Sequence, residues 1–268
     1  DLSVGSMVGL SSVTTGVLIQ SGAPFEIAAA VALLVGVVGG AFNGFFITVV
    51  GLPSLAVTIG TLALFRGLAV GLLGTTAVTD FPGFWSDLAK ARIGETSIPL
   101  VTVPILLLVI VFAVLLHLTP FGRGIYAIGM SKDAARFSGI HVERTKFILF
   151  ALSGLVAAFA GIYYTLRFGS ARGDNATGLE LQVIAAVVLG GVSVFGGRGQ
   201  IYGPLAAALL IGALASALRL ANITSDVINI ITGALLVLSV VSPSFLSWVR
   251  TLGARRGRKR SGVASTAP

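Results

Sequence analysis

The apolar residues of this chain fall into long, nearly uninterrupted runs rather than into the alternating patterns of water-soluble helices and strands. A helix that crosses the hydrocarbon core of a bilayer, about 30 Å thick, needs roughly 20 apolar residues. Six runs approach that length: 27–50, 52–74, 98–118, 145–166, 202–220 and 226–242. Two more runs, 2–20 and 181–195, are short or interrupted by glycine, as broken and re-entrant helices are. The pattern predicts an all-α polytopic membrane protein with about eight membrane segments.

Composition narrows the class of protein further. Of the 268 residues, 55% are hydrophobic and 10% are charged, whereas a soluble domain carries about 25% charged residues. The mean hydropathy is +1.00. A soluble enzyme and a nucleic-acid binder are excluded, because the net charge of +8 is not spread over a polar face. Cysteine is absent from the sequence, which excludes a disulfide scaffold and a thiol nucleophile.

The positions of the basic residues predict the sidedness of the chain. Most of the 18 Lys and Arg residues lie in the loop 119–146, in the tail 250–268 and at Arg198. The positive-inside rule assigns these regions to the cytoplasm, which predicts a cytoplasmic C-terminus. Residues 1–249 then form one transmembrane domain, and residues 250–268 form a basic tail that we expect to be disordered. The alternative for the tail is a segment that binds an anionic lipid surface.

A short helix is predicted in the loop after the third of the clear hydrophobic runs. Ser131 suits an N-cap, Asp133 suits the first turn, and Gly139 suits the C′ position. Ala134, Ala135 and Phe137 give this helix a small or apolar surface, with the cations Lys132 and Arg136 alongside. Two turns of helix are unstable alone in water. The loop therefore either packs on the protein's own helices or inserts into a groove of a soluble partner.

A glycine-rich stretch follows the short run 181–195. Its glycines permit close packing of backbones and a sharp turn at the membrane surface; they are Gly190, Gly191, Gly196, Gly197 and Gly199. The run GGRG lacks the Gly-Lys-Ser/Thr ending of a phosphate-binding loop, and no such loop occurs in the sequence. We therefore expect neither ATP nor another cofactor to bind this chain.

Ionisable residues are scarce inside the predicted spans. Arg66 is the main exception, and it either faces a cavity or a partner, or extends towards the bilayer surface. Glu26, Glu180 and Asp226 lie near predicted helix starts, where a carboxylate interacts favourably with the helix dipole. No carboxylate falls in the middle of a predicted span, and no metal-ligand or catalytic constellation is apparent. We expect no metal site and no catalytic residues.

A faint internal repeat relates two parts of the chain. An acid, then Leu, Val, Val and Leu, recur at the same offsets from Asp1 and from Glu180. Repeated halves are common in transporters, where they place the pathway at their junction. Because Leu and Val are abundant here, chance explains much of the match.

Several motifs, in their order and spacing, resemble one family over nearly the whole chain. They are DLSVGSMVGLSS at the beginning, NGFF at 43–46, LPSLAVTIGTLALFRGLA, YAIGMSKDAARFSGI and VIAAVVLGGVSVFGGRGQIYGPLAAALLIG. Together they resemble the permease subunit of bacterial monosaccharide ABC importers of the ribose type. The stretch SARGDNATGLEL at 170–181 is similar to rhamnose-type permeases. Family members usually carry further hydrophobic segments before DLSVGS, so an N-terminally incomplete chain is expected.

The resemblance implies a role and a set of partners. Such permeases pair with a second copy or homologue in the bacterial inner membrane, receive sugar from a periplasmic binding protein and couple to cytoplasmic ATPase subunits. The coupling motif matches residues 131–139. A path lined by hydroxyl and amide groups suits a neutral pentose or deoxyhexose, and we assign it Asn43, Phe46, Thr58 and Arg66. The permease itself is not an enzyme.

Two other classes of function are the alternatives. An ion-gradient-driven secondary transporter of a small polar solute predicts transport without an ATPase partner. The missing mid-span acid and the docking-type loop both argue against it. A membrane-embedded enzyme needs paired polar catalytic groups at one depth, and the sequence offers none.

Overall fold

The computed structural model describes residues 1–224 and, beyond them, residues 227–228, 230–231, 233–235 and 237–238. Within this described part the regular elements are ten helices. In chain order they are α1 (Val4–Gln20), α2 (Phe25–Thr48), α3 (Ser54–Leu73), α4 (Gly83–Lys90), α5 (Thr102–Leu118), α6 (Pro120–Met130), α7 (Lys132–Phe137), α8 (Val142–Phe168), α9 (Leu179–Leu189) and α10 (Tyr202–Leu220). The all-α architecture predicted from the hydrophobic runs is confirmed.

The long apolar helices account for only part of the predicted membrane segments. Four helices, α2, α3, α8 and α10, are long and apolar enough to cross a membrane. The pair α5 and α6 adds a fifth crossing if the two are counted as one bent span, and α1 and α9 are shorter apolar helices. The predicted run 226–242 and the tail 250–268 lie largely or wholly outside the described residues. The count of about eight therefore stays a prediction.

The junction of α5 and α6 differs from the expected loop. The sequence predicts an irregular segment from Thr119 onwards, but the chain turns by 69° and continues as a helix. Thr119 caps α6: its hydroxyl accepts a hydrogen bond from the Gly122 amide at 3.2 Å and donates to the Leu115 carbonyl at 2.5 Å. Pro120 occupies the first helical position, where its missing N–H removes no intrahelical bond. These two residues end one helix and start the next.

Glycines bring α2 and α8 into direct backbone contact. A Cβ atom at Gly36 would overlap the Gly154 carbonyl, and one at Gly40 would overlap the Phe150 carbonyl. Lipid is as apolar as leucine, so small residues that allow close packing are what hold helices together in a membrane. On the other side of this pair, Met7 and Val8 of α1 form a buried cluster with Phe65. The result is a bundle of α1, α2, α3 and α8.

The described chain divides into two compact units. The first contains Asp1–Glu180 together with Phe195–Arg198, and the second begins with Leu181–Val194 and resumes at Gly199. In the second unit, α9 and α10 pack through Ala185, Ala186, Ala207 and Ile211. Every contact described below lies within one of the two units.

Candidate functional site

The connection from α8 to α9, together with the first two residues of α9, lies along one face of α1 and comprises residues 171–180. Gly5, Gly9, Ser12 and Gly16 are spaced four, three and four residues apart, so they share one face of the helix. Along this face, Glu180 contacts Gly5, the Asn175 carbonyl approaches Gly9, and Ala171 contacts Gly16. The segment therefore runs antiparallel to α1. The glycines that suggested a broken helix form the seat of this segment instead, and we call residues 171–180 the seated segment.

Arg66 on α3 holds the seated segment by its backbone. Its Nη1 atom donates to the Gly173 carbonyl at 2.9 Å and to the Asn175 carbonyl at 2.7 Å. Non-helical backbone at membrane depth is tolerated only where protein or water satisfies its polar groups. Of the two alternatives for Arg66, the structure has the one in which it faces a partner, and that partner is the protein's own backbone. The carboxylates of Asp174 and Glu180 are close enough to stabilise its charge.

A buried chain of side-chain hydrogen bonds fixes the same segment to α1 and α8. The Asn175 amide donates to the Ser12 hydroxyl at 2.9 Å, which is 2.6 Å from the Thr165 hydroxyl. The same Asn175 amide also donates to the Ser170 carbonyl at 3.0 Å. Because each of these groups is uncharged and has a partner, the network stabilises the seat without burying a net charge.

Glu180 lies in the first turn of α9, as the sequence predicts, and two contacts show which part of α8 it lies beside. Asp1 is within 3.4 Å of Ser153, eleven residues after the start of α8, which corresponds to about 17 Å along the helix axis. Glu180 contacts Gly5, slightly further along, and its Oε2 atom is buried without a hydrogen-bond partner. The first residues of α1 and α9 thus meet near the middle of α8. Periodicity alone did not reveal this depth, because Glu180 follows an irregular loop in the sequence.

The four residues assigned to the path do not converge on one point. Asn43 is fully buried and donates to the Ser3 hydroxyl at 2.8 Å, while its Oδ1 atom has no partner. Thr58 is buried on α3, and Phe46 is half-buried with its ring 4.8 Å from that of Phe42. Arg66 lies in the seat. Their role as a path stays a prediction.

The short helix α7 forms where the sequence places it. The Ser131 hydroxyl accepts a hydrogen bond from the Ala134 amide at 3.3 Å. Gly139 has a φ of +80°, and its amide donates to the Arg136 carbonyl at 2.9 Å. The Ile140 amide donates to the Ala135 carbonyl at 3.0 Å, which completes a Schellman motif. Both caps of the predicted helix are confirmed as local structure.

The two faces of α7 have different surroundings. Ala135 is 2% exposed and is the buried residue of this helix, whereas Asp133, Ala134 and Arg136 are exposed. Arg136 forms an ion pair with Glu143, and this pair raises the pKa of Arg136 above its ordinary value. The helix therefore packs on its own chain through Ala135 and leaves its outer face exposed; insertion of that outer face into a soluble partner stays a prediction.

Two aromatic residues on this side of the molecule are almost fully exposed. Phe137, at the end of α7, is 94% exposed, and Phe195 is 95% exposed. The sequence assigns Phe137 to the apolar surface of the short helix, whereas no sequence signal singled out Phe195. Phe195 begins a segment whose Gly196 and Gly197 pack against Gly129 and the backbone of Met130. This contact places Arg198 on the side of α7, as the charge pattern predicts.

The remaining glycines of the rich stretch make close backbone contacts in the second unit. A Cβ atom at Gly190 would overlap Gly203 and Pro204, and one at Gly199 would approach Val192 at 2.8 Å. Gly191 has a φ of +83°, which suits the turn after α9. These contacts are what the sequence predicted of glycines in this stretch. Among the described residues, no group of three His, Cys, Asp or Glu side chains could hold a metal ion.

Comparison with known proteins gives one consistent match. The family model described as branched-chain amino acid transport system / permease component matches residues 1–240. The autoinducer 2 import system permease protein LsrD of Photorhabdus laumondii is 38% identical over 250 residues, covering 91% of this chain and 74% of the relative. Its counterparts in Yersinia enterocolitica and Salmonella typhimurium are 37% identical, over 91% of this chain and 75% of each relative. No solved structure matches the chain.

These matches confirm the resemblance to importer permeases that the motifs carried. They also confirm a transporter subunit as opposed to an enzyme, since the matched proteins are permeases. Together with the apolar helices, they assign the chain to a multi-pass position in the inner membrane. The chain belongs to the family of branched-chain amino acid transport system permease components.

Proposed function

We propose that this chain is the membrane-spanning subunit of an ATP-driven importer that carries a monosaccharide or a similarly small, neutral, hydroxyl-rich compound into the cytoplasm. The observation that carries the proposal is α7, a capped helix with one face packed on its own chain and the other face open. ATP hydrolysis resides on partner subunits in this proposal.

The open face of α7 suits insertion into a groove of a soluble ATPase subunit. Phe137 offers a large apolar side chain at its tip, and Lys132 and Arg136 surround it with positive charge. Exposed aromatic residues at the centre of a contact contribute most of the binding free energy in protein interfaces. The neighbouring Phe195–Arg198 segment extends the same surface. Ala135 then acts from within, by fixing the helix to its own chain.

The test is affinity purification of the chain in mild detergent, with its ATPase partner identified by mass spectrometry. We expect the ATPase to co-purify with the unmodified chain and to be lost, by tenfold or more, with Phe137→Ala. Phe168→Ala is the matched control, because Phe168 is also exposed but lies at the other end of α8. Equal retention of the ATPase by both variants would contradict docking through α7.

The polar groups enclosed by the bundle support a neutral substrate. Serine, threonine and asparagine make up the buried polar residues of the described chain, and such groups bind hydroxyls without a buried charge. The relatives are named for autoinducer 2 import, and residues 170–181 resemble rhamnose-type permeases. Uptake of labelled autoinducer 2 and of labelled rhamnose by cells that depend on this importer distinguishes the two. Uptake of neither compound, nor of any other monosaccharide, would contradict the substrate class.

The remaining partners follow from the same proposal. A periplasmic binding protein delivers the substrate, a second permease copy or homologue completes the path, and Asn43, Phe46, Thr58 and Arg66 contribute to its lining. Crosslinking in native membranes between single cysteines introduced into two differently tagged copies tests the pairing. The sequence has no cysteine, so each introduced thiol reports on one position.

Glu180 keeps the ion-gradient alternative testable. Its buried Oε2 atom has no hydrogen-bond partner, and a carboxylate at this depth is what proton- or sodium-driven transport uses. The alternative predicts uptake in ATP-depleted vesicles with an imposed gradient, and loss of that uptake in Glu180→Gln. The ATP-driven proposal predicts that a gradient alone gives no uptake in either protein.

A further inference from the structure

An apolar cavity of about 450 Å³ lies on the first unit at the end away from α7. Its walls come from the start of α2, from α4, from the start of α5 and from the end of α8. The lining residues are apolar or aromatic and are Phe25, Ala29, Leu33, Trp85, Leu88, Ala89, Leu100, Val101, Val103, Pro104, Phe159, Ile162, Tyr163 and Leu166. Since α2 and α8 are membrane-spanning helices, the cavity lies at bilayer depth in the leaflet opposite α7.

Two cations flank the rim of this cavity. Lys90 ends α4 and directly follows the lining residue Ala89. Arg92 pairs through its backbone with Pro99, which directly precedes the lining residue Leu100. Both side chains are exposed, and neither forms an ion pair with any described residue. Asp87 on α4 and Glu95 in the adjoining turn equal the two cations in number, so the positive charge at the rim is local to Lys90 and Arg92.

The aromatic residues of α4 place this rim at the bilayer surface. The Trp85 ring stacks on Phe25 with centroids 4.5 Å apart, and Phe84 contacts Trp85 edge-on at 5.2 Å. Tryptophan and phenylalanine next to lysine on a short amphipathic helix are typical of the membrane interface. The cavity below therefore opens from headgroup level towards the hydrocarbon.

We propose that this cavity is a phospholipid-binding site, in which one acyl chain fills the apolar space and the phosphate lies between Lys90 and Arg92. Size decides the class of occupant. A helix about 10 Å wide would fill 450 Å³ within roughly one turn, so the space takes up no more than a single turn of a second subunit's helix, whereas a slender acyl chain can lie along it. The phosphate in the headgroup is inferred from charge, because two cations at the rim without an ion-pair partner suit a phosphate.

The test is quenching of Trp85 fluorescence by phospholipids brominated on the acyl chain. The chain has two tryptophans, so Trp248→Phe leaves Trp85 as the sole reporter. The purified protein is delipidated in detergent and titrated with brominated phosphatidylglycerol, phosphatidylethanolamine or diacylglycerol. We expect saturable quenching at a low mole fraction of both phospholipids, and at least a fivefold higher half-saturation for diacylglycerol, which lacks the phosphate.

Three variants separate the acyl chain from the headgroup. Ala29→Phe and Ala89→Phe fill the cavity from opposite walls, and each is expected to abolish the saturable phase; thermal unfolding checks that at least one folds. Lys90→Gln combined with Arg92→Gln is expected to remove the preference for phospholipid over diacylglycerol. Arg167→Gln, an exposed cation elsewhere at this end, is the control and should leave the preference unchanged.

Two outcomes would overturn the proposal. Quenching that rises in proportion to the mole fraction of any brominated lipid, unaffected by either phenylalanine variant, would mean that Trp85 contacts bulk lipid only. Saturable quenching that is equal for phospholipid and diacylglycerol would overturn the phosphate assignment. Neither outcome bears on ATPase association, so failure here is distinct from failure of the proposed function.

Discussion

Replacing Arg66 should release the seated segment from α1. The Arg66 guanidinium supplies the hydrogen bonds to the Gly173 and Asn175 carbonyls, which have no other donor among the described residues. A hydrogen bond from a charged group contributes about 1.5–3 kcal/mol to stability, whereas neutral bonds between membrane helices average about 0.6 kcal/mol. Because the donor is charged and both carbonyls belong to buried residues, the larger free energy applies to each of the two hydrogen bonds. Arg66→Met should then cost about 3–6 kcal/mol.

Opening of the segment can be measured at a single cysteine. Ala171 is fully buried, so Ala171→Cys in this cysteine-free chain reacts with a maleimide only when the segment leaves its seat. A loss of 3 kcal/mol raises the open fraction by about 100-fold, and the labelling rate should rise by the same factor in Arg66→Met. Arg66→Lys keeps a charged donor and should give a smaller increase. Equal labelling rates of Ala171→Cys with and without Arg66→Met would refute the conclusion that Arg66 holds the segment through these carbonyls.

Three other substitutions test the seat and the short helix. Gly9→Ala should destabilise the protein by about 1–3 kcal/mol in denaturation assays, because the added Cβ would lie 2.8 Å from Nη1 of Arg66. Gly60→Ala is the control: a Cβ at Gly60 would have nothing within 4 Å, so this variant should be neutral or more stable by up to about 1 kcal/mol. Hydrogen bonding to Arg172 lowers the pKa of Asp174. Its contribution is therefore present above the ordinary aspartate pKa, about 3.9, and is lost as the pH falls through the lower native pKa. The difference in melting temperature between the protein and Asp174→Asn should stay constant between pH 8 and 5 and become smaller only below about pH 4. Ala135→Glu should expel α7 from its site and speed tryptic cleavage of the loop, and an unchanged cleavage rate would show that Ala135 does not fix the helix.

Features that depend on neighbouring residues could be predicted from the sequence. The caps of α7 are an example, because Ser131 and Gly139 act on backbone groups only a few residues away. The long spans are another, since their hydropathy reflects the solvent rather than the fold. The bend between α5 and α6 was missed although its signal, proline after a capping threonine, is equally local.

Features that depend on distant contacts could not be predicted. Arg66 lies 107 residues before Gly173, and no pattern in α3 indicates which backbone it binds. Gly5, Gly9 and Gly16 were visible as helix-weakening residues, but a glycine at a break and a glycine at a close contact look alike in sequence. Ala135 and Phe137 are both apolar residues of one short helix. Only packing distinguishes the buried residue, which fixes the helix, from the exposed one.

The position of α8 connects the two sites physically. It begins five residues after the end of α7, where Glu143 pairs with Arg136, and it ends three residues before the seated segment. Its 27 residues form one continuous helix, about 40 Å long, that packs on α1 and α2 through glycines and so has little room to bend. A partner that moved α7 would therefore act on the start of the same rigid element whose end carries the seated segment. Release of that segment would separate the Arg66 guanidinium from the Gly173 and Asn175 carbonyls and from the nearby carboxylates of Asp174 and Glu180, so a displacement of α8 would open the seat only by working against these contacts.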